Sequence, residues 1–175
     1  MTHRNLVVLT GAGISAESGV PTFRASDGLW CGHRVEEVAT PEGYAANPAL
    51  VQDFYNQRRR QLAEVRPNAA HVALAELAAR WDGDFLLVTQ NVDDLHERGG
   101  SGRVLHMHGE LKSALCTSCE TRSPWLEAMI HRPPCPVCRA PTLRPDVVWF
   151  GEMPYEMDRI YSAIRTADLF VSIGT

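Results

Sequence analysis

Leu6-Val7-Val8-Leu9-Thr10-Gly11-Ala12-Gly13-Ile14-Ser15 is the stretch whose reading decides the fold class. Its first four residues are apolar without alternation, which suits a short strand buried on both faces. Thr10 and Gly11 end the run, and a second glycine follows one residue later. The same texture returns at 85–88 (FLLV) and at 169–173 (LFVSI). Each run stops after four or five residues at Gly, Thr or a polar turn, which favours strand over a buried helical turn. Between the runs lie stretches with helical spacing. Residues 47–60 place Pro48 at a first helical position and carry Ala49, Leu50 and Phe54. Residues 68–81 carry Ala70, Leu74, Leu77 and Ala78, and 153–165 follow Pro154 with Met157, Ile160, Tyr161 and Ile164. Strands alternating with helices predict an α/β fold around a parallel sheet.

The rest of the composition is that of an ordinary globular chain, with 45% apolar and 22% charged residues and a net charge of -4. That balance supplies no global attraction to nucleic acid or to an anionic membrane. Arginine replaces lysine everywhere except Lys112. The apolar run at 6–9 is too short for the core of a secretory leader, and no 18-residue apolar stretch exists. A cytoplasmic location is expected.

Five cysteines occur as Cys31 alone and two close pairs, Cys116-x-x-Cys119 and Cys135-x-x-Cys138. Two-residue spacing lets both thiolates of a knuckle face one ion, and two knuckles complete a tetrahedron. Four sulfur ligands leave no open position, so a structural zinc ion is predicted, with an iron–sulfur centre or redox thiols as alternatives. The stretch between them also holds Pro124, Pro133, Pro134 and Pro136, so a tight core is not expected there. The coarse organisation is an α/β core of residues 1–30, 85–111 and 143–175, a helical insertion at 31–84, and a four-cysteine zinc module at 112–142.

Chemistry is expected beyond the carboxyl ends of the parallel strands. Gly11 and Gly13 admit unusual backbone angles and close approach, and a helix near 16–18 would offer N–H groups to a pyrophosphate. Ala16 stands where a third glycine would complete the dinucleotide pattern, so a nucleotide turn and a plain tight turn both fit. Pro21-Thr22-Phe23-Arg24 adds a ring and a cation, which also read as a core phenylalanine and a surface arginine. Thr89-Gln90-Asn91-Val92-Asp93 begins where the second strand ends. Asn91 and Asp93 suit ribose hydroxyls or a water, and equally an Asx turn capping a helix. His106-Met107-His108-Gly109-Glu110 follows another short apolar pair. In an extended stretch both histidines face one side, and a neutral histidine accepts protons near neutral pH. A metal centre of His106, His108 and Glu110 is the weaker reading, because Gly109 turns the chain.

Six stretches in order resemble the sirtuin family over essentially the whole chain: Gly11-Ala12-Gly13-Ile14-Ser15, Pro21-Thr22-Phe23-Arg24, Thr89-Gln90-Asn91-Val92-Asp93, His108-Gly109, the cysteine spacing, and Phe150-Gly151-Glu152. The resemblance is to bacterial members and to the desuccinylase and demalonylase class. It implies a Rossmann-like core and an NAD-dependent protein-lysine deacylase containing zinc. By that resemblance Gly11, Ala12, Gly13, Ala16 and Gly174 lie against NAD, with Phe23 and Arg24 in a cofactor loop. Gln90, Asn91 and Asp93 orient the nicotinamide ribose and carboxamide. The acyl-lysine oxygen attacks the ribose C1' and nicotinamide departs, with Asn91 and His108 as catalytic residues. His108 acts as general base on a ribose hydroxyl. The products are free lysine, nicotinamide and O-acyl-ADP-ribose. Val148, Trp149, Phe150 and Gly151, following Val147, look like the acyl-lysine tunnel and a strand edge for the substrate backbone.

The resemblance also bears on Tyr55 and Arg58, three residues apart on the helix that begins near Pro48 and therefore on one face. Read alone, Tyr55 is a core residue and Arg58-Arg59-Arg60 a solvated basic surface. Sirtuins that remove succinyl and malonyl groups carry this Tyr-x-x-Arg pair with a small residue resembling Ala39. A guanidinium and a hydroxyl suit an acyl chain ending in a carboxylate. Acetyl, succinyl and malonyl groups are therefore the expected substrates.

The family pattern continues past Gly174-Thr175 into further strands. The sequence is accordingly expected to be a fragment with an incomplete adenosine site, weak in catalysis and NAD binding, and able to self-associate through an exposed sheet edge. Rival readings are a protein ADP-ribosyltransferase and a zinc-stabilised binding module without turnover. Arg122, Arg132, Arg139 and Arg144 do not make the zinc module a nucleic-acid reader, because Trp125 is its lone interleaved aromatic residue. Acylated lysine side chains of proteins are the expected partners, with neither membrane nor nucleic acid.

Overall fold

Four parallel strands run side by side in the order Val104–His106, Phe85–Thr89, Leu6–Thr10 and Leu169–Ile173. This computed structural model describes residues 4–22 and 29–175. The chain forms two compact units, one of Met1–Thr22, Val65–His108 and Pro154–Thr175, the other of Phe23–Glu64 and Gly109–Met153. No helix among the described residues is long and apolar enough to cross a membrane.

The first unit is the α/β core, and its three unalternating runs are strands as expected. Leu6, Val8 and Leu87 pack on one face of the sheet with Ile14 and Leu74. Val7, Val88 and Leu105 pack on the other with Ile160. Burial on both faces explains why these strands read as continuous apolar runs. Leu169–Ile173 differs: it lies at one edge of the sheet, and Leu169 and Phe170 are exposed.

The core helices are present with shifted faces. Helix Ala69–Arg80 starts at Asn68, whose side chain accepts from the Ala70 amide. It buries His71 and Leu74, whereas Ala70 and Leu77 face outward. A histidine therefore occupies the buried stripe that apolar counting assigned to alanine and leucine. Helix Met157–Thr166 begins later than Pro154, because Tyr155 donates its amide to the Met107 carbonyl and Glu156 takes a left-handed conformation. Ile160 is buried on it, while Tyr161 and Ile164 are exposed.

The second unit holds helices Val35–Val38, Pro41–Ala46 and Pro48–Gln61 and an antiparallel sheet ordered Arg122–Pro124, Gly109–Cys116, Leu143–Val147. Helix Pro48–Gln61 is capped by Asn47, which accepts from the Leu50 amide. Its buried side carries Val51, Phe54, Tyr55 and Arg59, and Ala49 is exposed.

The grouping differs from the three-part division expected from the sequence. Helix Ala69–Arg80 belongs with the parallel sheet because Leu74 completes that core. The segment from Gly109 to Met153 joins the helical insertion in one unit. The cysteine region also has a small core after all, made of Ala114, Cys116, Met129, Cys135 and Leu143 with Trp125 packed against it.

Candidate functional site

Thr10, Thr89 and His106 are register partners across the sheet, with Ile173 beside Thr10. Gly11, Gln90-Asn91, Met107-His108 and Gly174 therefore all leave the sheet along one row, at the carboxyl ends of four strands. Open parallel sheets bind ligands at this position.

The glycine turn works differently from the expectation. Helix Ala12–Ser15 starts immediately after Gly11, with a 3-10 turn at Ala16–Ser18, and neither Gly11 nor Gly13 has a positive φ. Their need is space. A Cβ on Gly11 would lie 2.7 Å from the Gly174 carbonyl oxygen, and one on Gly13 would lie 2.7 Å from the Gly174 Cα. The close approach is made by the chain itself. Gly11 and Gly13 donate their amides to the Ile173 and Gly174 carbonyls, and Ile14 donates to Gly11. Among the amides of residues 11–14, that of Ala12 is left with no carbonyl partner among the described residues.

Behind the row lies a buried polar network. The Ser15 hydroxyl donates to Asp93 Oδ2 at 2.9 Å and receives the Asn91 Nδ2 at 3.2 Å. Asn91 Nδ2 also donates to the Gly11 carbonyl, and the Asn91 amide to Thr89 Oγ1. Asn91 Oδ1 accepts from no described residue and remains an open acceptor. Asp93 Oδ1 receives the Leu95 amide, so one oxygen makes the Asx turn while the other holds Ser15. Burial raises the Asp93 carboxyl above its ordinary range, against the lowering effect of the Leu95 and Ser15 hydrogen bonds.

Ser15 and two further histidines belong to this network and were absent from the sequence-derived set. His71 Nδ1 accepts the Asn68 amide, so Nε2 carries the proton toward Ser15 at 3.4 Å. His96 packs edge-on against His71 with centroids 4.9 Å apart. The Thr10 hydroxyl donates to Thr89, so Thr10 accepts from His96 Nε2 at 2.9 Å. His96 Nδ1 is then a buried acceptor without a partner. Burial lowers both histidines, His96 to about 4, so the pair is neutral. A histidine at a buried helix position, three residues after an N-cap Asn, was the available signal for His71.

The two histidines of the His-Met-His segment have separate tasks. His106 Nδ1 faces the Asn91 carbonyl at 3.0 Å and Nε2 faces Glu97 at 2.8 Å. Both ring nitrogens are engaged, which removes His106 as a metal ligand. His108 Nδ1 faces the Gln90 carbonyl at 3.0 Å. A carbonyl only accepts, so Nδ1 carries the proton and Nε2 is a lone pair with no partner among the described residues. Burial lowers the His108 pKa, keeping the ring in this neutral form. Gln90 itself donates to Thr175 Oγ1. Phe23 and Arg24 lie outside the described residues.

In the second unit the four Sγ atoms lie within 4.8 Å of one another, the one group of this kind among the described residues. Cys116–Cys138 and Cys119–Cys135 separations are 3.6 and 3.7 Å. Tetrahedral zinc with bonds of about 2.3 Å requires sulfurs roughly 3.8 Å apart, so the thiols fit that ion. The two knuckles repeat one geometry. Glu120 and Arg139 donate their amides to the Cys116 and Cys135 carbonyls, each from a left-handed conformation. Arg122 is bound to Asp146 and Arg144 to Glu152.

The same unit carries the acyl-recognition candidates. Tyr55 is wholly buried, and its hydroxyl receives Trp149 Nε1 at 3.0 Å. Arg58 folds back along its own helix, donating to the Phe54 carbonyl at 2.8 Å with its guanidinium 3.6 Å from the Phe54 ring centroid. Its buried Nε has no partner among the described residues. Of Arg58-Arg59-Arg60, only Arg60 is fully exposed. Arg59 is buried, bonded to the Leu111 carbonyl and Asn56, and burial lowers it to about 10. Ala39 is buried and receives the Phe150 amide at its carbonyl. The strand ends at Val147, so residues 148–151 are not a strand edge here. Trp149 is buried, Phe150 is exposed, and Gly151 turns the chain with φ 91°.

Comparison with known proteins follows the same lines. The model of the Sir2 family matches residues 11–175. An NAD-dependent protein deacylase of Bdellovibrio bacteriovorus is 58% identical over 98% of this chain and 74% of its own length. One from Vibrio vulnificus strain YJ016 is 57% identical, over 99% and 72%. Among solved structures, a Sir2 homologue–NAD complex is 46% identical with a TM-score of 0.86, covering 97% of this chain and 67% of that one. Sir2 in complex with the inhibitor EX-527, 2'-O-acetyl-ADP-ribose and deacetylated p53 peptide is 31% identical with a TM-score of 0.76, covering 98% and 70%.

Proposed function

This chain belongs to the Sir2 family, and from that premise we propose that the protein is an NAD-dependent protein-lysine deacylase. The observation that carries the reading is the His108 ring, whose Nδ1 proton is committed to Gln90 while Nε2 stays unprotonated and free. NAD, when bound, supplies an electrophilic ribose carbon with nicotinamide as leaving group. The residues at the strand ends fit such a ligand: the Ala12 amide for a phosphate oxygen, and Asn91 Oδ1 for a ribose hydroxyl or a water. Ser15 and Asp93 hold Asn91 in place. With NAD bound, His108 Nε2 would be the base that accepts the proton of a ribose hydroxyl. Gly11, Gly13 and Gly174 shape the turn. Phe23 and Arg24, Ala16 and Gln90 are proposed as further cofactor contacts on the strength of the family motifs.

We infer that the acyl groups removed are acetyl, succinyl and malonyl. Support comes from the second unit, where a buried Tyr55 hydroxyl and the unpartnered Arg58 Nε lie three residues apart on one helix, with small Ala39 also buried. Val148, Trp149, Phe150 and Gly151 are proposed to take the acyl-lysine stem. The thiols of the zinc site must stay reduced, which fits a cytoplasmic setting. The test is mass spectrometry of acetyl-, succinyl- and malonyl-lysine peptides incubated with NAD and the protein. Free lysine peptide together with O-acyl-ADP-ribose supports deacylation. ADP-ribose attached to protein or peptide, with the acyl group intact, would replace it with a transferase.

A further inference from the structure

The Tyr55 hydroxyl is wholly buried, and its one described partner is a donor. An indole N–H donates and never accepts. The Trp149 contact therefore uses the Tyr55 oxygen as acceptor and leaves the phenolic proton without a taker among the described residues. A buried donor left unmet is costly, and such groups in folded proteins call for an explanation. A proton arriving from Trp149 repels the hydroxyl proton from its own side of the oxygen, so the Tyr55 proton is turned the other way.

Trp149 is itself held. Its amide donates to Glu152 Oε2 at 2.8 Å. Arg144 grips both Glu152 oxygens, at 2.7 and 3.0 Å, and lays its guanidinium 4.0 Å from the Trp149 ring centroid. Arg144 and Trp149 are both buried. The indole thus sits in a clamp whose ionic parts make no hydrogen bond to Tyr55 among the described residues. Arg58, on the same helix as Tyr55, adds the second unmet donor at its buried Nε. Burial also holds the Tyr55 hydroxyl above its ordinary pKa, so it stays a donor.

We propose that Trp149 is a positioning residue for acyl specificity: its indole N–H turns the Tyr55 hydroxyl proton toward an anionic acyl terminus and so favours acyl groups ending in a carboxylate. An acetyl group offers no acceptor at that point, so the effect is on selectivity. The inference rests on the reading that Tyr55 and Arg58 meet the acyl carboxylate.

The experiment compares kcat and KM of Trp149→Phe, Tyr55→Phe, the double variant and Arg58→Met on succinyl and acetyl peptides of one sequence. Both substrates are measured on the same preparation, so a change in folded fraction cancels from their ratio. Packing lost to the smaller ring in Trp149→Phe falls on both substrates. The succinyl-to-acetyl ratio of kcat/KM should fall a further three- to tenfold, about the size of one neutral hydrogen bond, and the fall should be carried by KM. In the Tyr55→Phe background the Trp149→Phe change should leave the ratio where Tyr55→Phe alone puts it. An unchanged ratio in Trp149→Phe, or an undiminished effect without the Tyr55 hydroxyl, overturns the inference. If Arg58→Met collapses the ratio while Trp149→Phe does not, Trp149 alone loses its role. If Arg58→Met leaves the ratio intact, the carboxylate reading fails and takes this inference with it.

Discussion

His108 donates from Nδ1 to the Gln90 carbonyl oxygen at 3.0 Å. The bond fixes the tautomer, and burial fixes the charge by lowering the ring's pKa. His108→Ala should leave folding intact and cut turnover by roughly 10²-fold or more, the usual worth of a positioned general base. The acid limb of kcat/KM should lie below the ordinary histidine value of about 6.5. Near-normal turnover in the variant would remove His108 from this role.

His96 and His71 predict an acid-sensitive fold. The unfolded chain protonates these rings below about 6.5, whereas folded His96 resists until about 4. Between those values the unfolded state binds more protons, so stability is present at neutral pH and lost as pH falls. Glu97, which burial raises but the His106 hydrogen bond and charge together lower, acts in the same direction at lower pH. Asp93, raised by burial, acts in the opposite one. The melting temperature should drop between pH 6.5 and 4, and less steeply in His96→Gln. A flat profile in the parent protein would contradict the neutral assignment.

The cysteine cluster should hold one zinc ion per chain. Structural zinc contributes directly to folding free energy, and here Cys116 and Cys135 are also core residues beside Met129 and Leu143. Chelation, or Cys116→Ala, should lower the melting temperature as well as remove the metal. Metal-free protein that melts unchanged would refute a structural role.

Arg58→Met should reduce the succinyl-to-acetyl ratio of kcat/KM by about 10- to 150-fold, the equivalent of a lost charge-assisted hydrogen bond of roughly 1.5–3 kcal/mol. In the present structure Arg58 donates to the Phe54 carbonyl. That bond uses one N–H of the guanidinium and leaves Nε and Nη2 as a side-on pair of donors for a carboxylate, and peptide kinetics with both acyl groups will report whether they are used. Equal losses on both would assign Arg58 to the fold.

Much of the fold was readable because buried parallel strands announce themselves, as 6–10, 85–89 and 169–173 do. The four cysteines were readable because their spacing is the ligand geometry. Less was legible where a residue's surroundings come from distant segments. Arg59 stands in a basic run yet is buried against Leu111 and Asn56. His71 occupies a helical stripe where only apolar residues were counted, though it faces Ser15 from 56 positions away. The glycine pair suggests unusual backbone angles and close approach to a ligand, whereas in the structure the close approach is to Gly174. Trp149 was expected on a strand that in fact ends at Val147. For Arg59 with Leu111, His71 with Ser15 and the glycine pair with Gly174, the deciding contact is long-range in sequence and has no local periodicity to betray it.

The contact of Gly11 and Gly13 with Gly174 has a consequence for biosynthesis. The glycine turn is translated well before Ile173 and Gly174, and the amides of Gly11 and Gly13 lack their carbonyl acceptors until those residues exist. Strand Leu6–Thr10 likewise waits for Leu169–Ile173 to cover one side. Closing a loop of that length is slow compared with local helix formation. On the ribosome the helices and the cysteine knuckles have the means to form while the glycine turn is still open. A segment written before its partners is thereby settled only after them.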